Sequence, residues 1–148
     1  MPEKQTVRRA RRDKRQGKAP STQAGEFVRE EMEHVRGGKH GARSTKQAIA
    51  IGLSKARRAG VKLRPPKRGA ASAKTRKSAQ SAYRRGQSRS RKTSRTRSRA
   101  TRRALRREGR RAASRSALSR QARTSSRRRS ASSRSAAARK AVRTRKRK

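Results

Sequence analysis

The chain has 148 residues, a formal charge of +44 and only 26% hydrophobic residues, with one Phe, one Tyr and no Trp. So few large apolar side chains and so large a charge predict a chain that is mostly disordered when free, with room for one small folded unit. The absence of Cys excludes a disulfide framework, a thiolate zinc site and a cysteine nucleophile.

Residues 1–20 read as a basic disordered arm, because Val7 and Ala10 alone make a poor apolar stripe between the clusters Arg8-Arg9-Ala10-Arg11-Arg12 and Lys14-Arg15. Residues 21–63 are the stretch with globular character. Ser21 or Thr22 is an expected N-cap, followed by Ala24, Phe27, Val28, Met32 and Val35 at helical spacing, and Gly37-Gly38 stops that helix. Ser44-Thr45-Lys46-Gln47 fits a capping box for a second helix carrying Ile49, Gly52, Leu53, Ala56 and Ala59. Gly60 suits its C-terminal cap, and Pro65-Pro66 prevents resumption. Gly52, at the centre of the apolar stripe, would let the two backbones approach closely.

These signals predict a small all-α hairpin of two helices with basic extensions. A hairpin this short normally needs a disulfide, which the lack of Cys excludes, a metal or a partner to fold, and Ile51 projects away from Ile49 and Leu53. A second contact is therefore expected, from the basic arm or from another copy in a homodimer.

Residues 64–148 read as a disordered tail. They hold 27 Arg and 7 Lys against the single acid Glu108, a net +33. Arginine-serine runs occur at Ser88-Arg89-Ser90-Arg91 and from Ser94 to Arg99, and residues 101–122 are expected to turn helical once phosphate neutralises the Arg repulsion. Duplex DNA carries about one negative charge per 1.7 Å, so such a tail matches roughly 16 base pairs. Guanidinium groups grip phosphate bidentately, and their excess over ammonium favours close backbone contact.

The expected nucleic-acid contacts are Lys46, Lys55, Arg57 and Arg58 in the hairpin and Arg84, Arg85, Arg102, Arg103, Arg106, Arg107, Arg110, Arg111, Arg127, Arg128 and Arg129 in the tail. Gln47, Ser54 and Arg58 share a face with Ile51, but a solvent face with capping duty for Gln47 is the preferred reading. Glu26, Glu30, Glu31 and Glu33 read as the polar face and first turns of the first helix, where the dipole favours negative charge. The alternative is that Glu26, Glu30 and Glu33 dock basic segments. His34 and His40 lack an evident ligand set, so no metal or other cofactor is expected, and no catalytic constellation is present. Serines beside arginine read as small spacers, with phosphorylation as the competing switch reading.

The segments Gly25-Glu26-Phe27-Val28-Arg29-Glu30-Glu31-Met32, Gly38-Lys39-His40-Gly41 and Lys46 to Gly60 resemble a small bacterial domain of unknown function found in short basic proteins often labelled DNA-binding. The tail resembles those of bacterial linker-histone-like proteins, though it is rich in Arg and Ser where they favour Lys, Ala and Pro. The resemblance implies a non-enzymatic, histone-like protein of the nucleoid.

The charge itself makes nucleic acid the expected partner without separating DNA from RNA, and DNA is the favoured reading. RNA or ribosome binding, and a hairpin that recruits protein while the tail anchors it, are the alternatives. No apolar run approaches the roughly 20 residues of a membrane span, and no apolar stretch follows the basic N-terminus, so a cytoplasmic location without membrane association is expected.

Overall fold

The structure, a computed structural model, describes residues 2–88 and 94–146. Among them are seven α-helices and no strand: α1 Lys4–Arg15, α2 Pro20–Arg36, α3 Thr45–Arg58, α4 Ala73–Gln87, α5 Arg95–Arg106, α6 Arg115–Arg127 and α7 Ala131–Lys146, with a 3-10 turn at Arg111–Ala113. The chain divides into two compact units, Met1–Ser114 and Arg115–Lys148. This corrects the expectation of a mostly disordered chain around a two-helix hairpin. The arginine-serine run after Ser88 lies outside the described residues. No helix among the described residues is long and apolar enough to cross a membrane.

The expected hairpin is α2 and α3, packed on each other. Its ends follow local chemistry. Pro20 occupies the first turn of α2 with Ala19 as the N-cap, so the start needs no side-chain cap from Ser21 or Thr22. At the far end Gly38 takes a φ of 73°, and the Lys39 N–H donates to the His34 carbonyl at 3.0 Å. The second helix closes in the same way, with Gly60 at 91° and the Val61 N–H donating to the Ala56 carbonyl at 3.1 Å. Ser44 caps α3 by accepting from the Gln47 N–H at 3.2 Å. The Gln47 side chain reaches back as a capping box requires, but accepts from the Arg43 N–H at 2.7 Å, one residue earlier than expected.

At the crossing of α2 and α3, a Cβ built on Gly52 stands 2.7 Å from the Val28 Cα and 3.0 Å from the Phe27 carbonyl oxygen. Backbone meets backbone there, which only glycine allows. The core beside it holds Ala10, Ala24, Phe27, Ala56 and Val61, with Val7, Leu53 and Leu63 packed against it.

Two of these residues, Val7 and Ala10, come from the segment read as a disordered arm. That segment is the helix α1, and it packs on α2. Its buried positions are Thr6, Ala10 and Asp13, one face at helical spacing. Asp13 is held by Lys18 at 2.7 Å, and Arg9 pairs with Glu26 at 2.6 Å. Two of the three buried side chains are polar, so an apolar count passes over the helix.

The tail is ordered for a similar reason. α4 packs on α3 through Ala79 and Ala82, both buried, and through Gly86, which lies against the Arg57 carbonyl with no room for a Cβ. Small residues at i, i+3 and i+7 bring the helices together without large side chains. α3 therefore has α4 as a neighbour as well as α2. Further on, Gly41 N–H donates to the Leu105 carbonyl at 2.8 Å and Ala42 N–H to the Gly109 carbonyl at 3.0 Å. Ala112 and Ala113 are buried against α2 and α3, where Thr45 Oγ1 donates to the Ala112 carbonyl at 2.6 Å and Arg36 Nε to the Ala113 carbonyl at 2.8 Å.

The second unit differs in kind. It carries 11 Arg and 3 Lys with no acid, and none of its described side chains is buried. Local capping supports its helices, as where the Ser133 N–H donates to Ser130 Oγ at 3.2 Å at the start of α7.

The close approach at Gly52 sets a test. Ala normally improves a helix interior by about 1 kcal/mol over Gly, yet Gly52→Ala is expected to destabilise the protein by about 1–3 kcal/mol through overpacking. Urea denaturation followed by circular dichroism measures the sign. A more stable variant would remove the close-approach account.

Candidate nucleic-acid interface

Where the acids point decides which cations are free. α2 has no acid in its first turn, so the dipole reading of its glutamates is corrected. Glu30 and Glu31 are instead 1% and 0% exposed. Lys55 of α3 reaches both, with Nζ 2.6 Å from Glu31 Oε2 and 3.6 Å from Glu30 Oε1. The Glu3 backbone N–H donates to Glu30 Oε2 at 3.3 Å, which brings the start of α1 into the same cluster. Hydrogen bonds from Lys39 and His34, at 2.8 and 2.9 Å, hold the Glu3 carboxyl down at about 2. Glu26 docks Arg9, and exposed Glu33 pairs with Arg29 at 3.1 Å along α2. The acids thus bind basic segments of the chain itself.

Lys55 and Arg57, expected at the interface, are therefore internal. The Arg57 guanidinium is buried and donates to the Leu63 and Arg64 carbonyls at 3.1 and 3.4 Å, so it fixes the chain leaving α3; burial lowers its pKa. Gln47 caps α3 as preferred.

The other expected contacts are solvent-exposed: Lys46 and Arg58 on α3, Arg84 and Arg85 on α4, Arg102, Arg103 and Arg106 on α5, then Arg107, Arg110 and Arg111. In the second unit Arg127, Arg128 and Arg129 are exposed at and after the end of α6.

The structure adds an arrangement that composition does not reveal. On α1, Lys4, Arg8, Arg11, Arg12 and Arg15 are exposed and stand opposite the buried Thr6, Ala10 and Asp13. On α5, Arg95, Arg99, Arg102, Arg103 and Arg106 are exposed in the same register, i, i+4, i+7, i+8 and i+11. Each set falls within one narrow face of its helix. Such a stripe is about 17 Å long at 1.5 Å per residue, and one DNA strand presents about five phosphates over that length. Once α1 is known to be a helix, its stripe is visible in the sequence at helical spacing.

His34 and His40, which showed no ligand set in the sequence, lie together beside Glu31. One ligand atom from each of the three falls within 4.8 Å of the others. The turn after α2 folds His40 back over the helix end that carries His34, and their rings meet edge to face at 6.1 Å.

Residues 3–68 match a family of unknown function, DUF6496. The matched span contains α1, α2 and α3, so a domain of unknown function occupies the region that carried the sequence resemblance and extends through α1. No curated protein and no solved structure matches the chain.

The two kinds of lysine on α3 separate experimentally. Lys55→Met leaves two buried carboxylates without their cation, and a loss of about 3–5 kcal/mol is expected. Lys46→Met, at an exposed site, should stay within about 0.5 kcal/mol of the parent. Equal effects in urea denaturation would contradict the internal role of Lys55.

Proposed function

We propose that this protein is a non-enzymatic, histone-like nucleic-acid-binding protein that lays cationic helices along phosphate backbones, with duplex DNA as the favoured ligand. The observation that carries the reading is the pair of matching stripes on α1 and α5. Five exposed cations on one helix face are a costly arrangement in isolation, since like charges at i, i+4 disfavour a helix by about 0.2–0.5 kcal/mol per pair. A line of phosphates relieves that repulsion and releases counterions.

The arrangement suits backbone contact rather than base readout. The exposed cations are mainly Arg, which grips phosphate bidentately. Phe27 is buried and Tyr83 half-buried, so no exposed aromatic platform for unstacked bases exists among the described residues. That favours a duplex over single-stranded RNA. It also supports binding with little sequence preference, and a nucleoid location follows from that reading.

The test is a salt titration of affinity for duplex DNA and for structured RNA of equal length. It uses the full chain and two variants that change the α1 stripe or the α5 stripe to Gln. Each variant should keep its helicity and flatten the slope of log affinity against log salt by up to about 4.5, from about 0.9 per lost phosphate contact. Unchanged slopes would sink the stripe mechanism. A clear preference for RNA at every salt concentration would move the protein to transcripts or the ribosome.

A further inference from the structure

The Glu31, His34 and His40 cluster lies outside the cationic stripes of α1 and α5. His40 Nδ1 lies 3.1 Å from the Gly41 carbonyl oxygen. A carbonyl only accepts, so Nδ1 is the donor, and in the neutral ring Nε2 then carries a lone pair. That nitrogen faces Glu31 Oε1, another acceptor, at 3.2 Å. Two acceptors at this distance require a proton or a metal cation between them. Neither oxygen of the fully buried Glu31 receives an aligned hydrogen bond, although Lys55 makes ionic contact with Oε2.

We propose that Glu31, His34 and His40 bind one divalent transition-metal ion of the zinc class. Three features favour a metal over a proton. The separation of His40 Nε2 from Glu31 Oε1 is close to the ~3.3 Å expected between two ligands of a tetrahedral zinc ion with bonds near 2.0–2.1 Å. His34 supplies a third donor within the cluster. The Gly41 carbonyl on His40 Nδ1 is the outer partner that orients a metal-bound imidazole.

Two imidazoles and one carboxylate suit zinc or its neighbours and disfavour magnesium and calcium, which prefer oxygen ligands. Lys55 stays on Glu31 Oε2 while Oε1 takes the ion. Glu3, which accepts from His34 at 2.9 Å, must release that nitrogen or share it with the ion. The bound ion would tie the loop carrying His40 to α2, next to the Gly41 and Ala42 bonds that hold residues 105–109.

The chain has two histidines and no cysteine, which makes the test specific. The chelator-stripped full chain is titrated with zinc sulfate against a chromophoric competitor, and with cobalt(II) to read ligand-field absorption. One ion per chain is expected, with a rise in melting temperature that magnesium does not produce. His34→Gln and His40→Gln change side chains that keep some solvent exposure, so both should fold. Each should weaken zinc binding by more than about 100-fold, beyond the loss of an outer partner alone. The proposal is overturned if no stoichiometric ion binds, or if both variants bind zinc as the parent does. A protonated His40 whose NMR signals ignore zinc would show that a proton fills the contact, and would also overturn it.

Discussion

The contact of Lys55 with Glu30 and Glu31 is the constraint on which the folded unit depends. Two adjacent carboxylates lie inside the protein on α2, and burying either without a cation costs several kcal/mol. The ammonium must come from α3, so the helices meet where Lys55 reaches both acids. Gly52 allows that meeting, because it lets the α3 backbone settle on Val28 and Phe27. A buried ion pair contributes little net stability compared with a well-packed apolar contact. It does penalise every alternative register strongly, and a core this poor in large side chains has few other means of fixing one.

The same cluster governs the outside of the molecule. Six of the seven acids lie between Glu3 and Glu33, and most of them are taken up by the chain's own cations. Arg9, Lys18 and Lys55 are neutralised at or below the surface. The acids nearest the α1 and α5 stripes in sequence, Glu3, Asp13 and Glu108, pair instead with Lys39, Lys18 and Arg43. Placing acids inward and cations outward leaves a folded body with a strongly positive exterior, which suits a polyanion ligand in the reading proposed above.

Features set by local backbone chemistry were legible in the sequence. Ser44, Gly38 and Gly60 mark helix ends because few residues serve there, and Gly52 stood out as a glycine in the middle of an apolar stripe. Features set by tertiary contact were not. α1 hides its buried face in Thr6, Ala10 and Asp13, and α4 packs through Ala79, Ala82 and Gly86, so a count of large apolar residues misses both. The segment around Gly109 to Ala113 docks through backbone carbonyls, which leave no trace in composition. Lys55 and Arg57 resemble their exposed neighbours until Glu31 and the Leu63 carbonyl are placed beside them. His34 and His40 are six residues apart, and only the turn at Gly37-Gly38 brings them to the same carboxylate.

The two units carry their charge on different foundations. α1 can hold five exposed cations in line because its other face is anchored by Ala10 in the core and by the Arg9–Glu26 pair. None of the described side chains of α6 and α7 is buried, and no acid there offsets repulsion among their arginines. Helices of 13 and 16 residues without a buried face among their described side chains are marginal in water. Neutralisation by phosphate removes the repulsion that opposes them, so helix stability and anion binding are coupled in the second unit. In α1 they are separate, because tertiary packing already fixes the helix. On the nucleic-acid reading, α1 therefore brings preorganised geometry to the ligand, while α6 and α7, like α5, which has no buried residue, convert ligand charge into helical order.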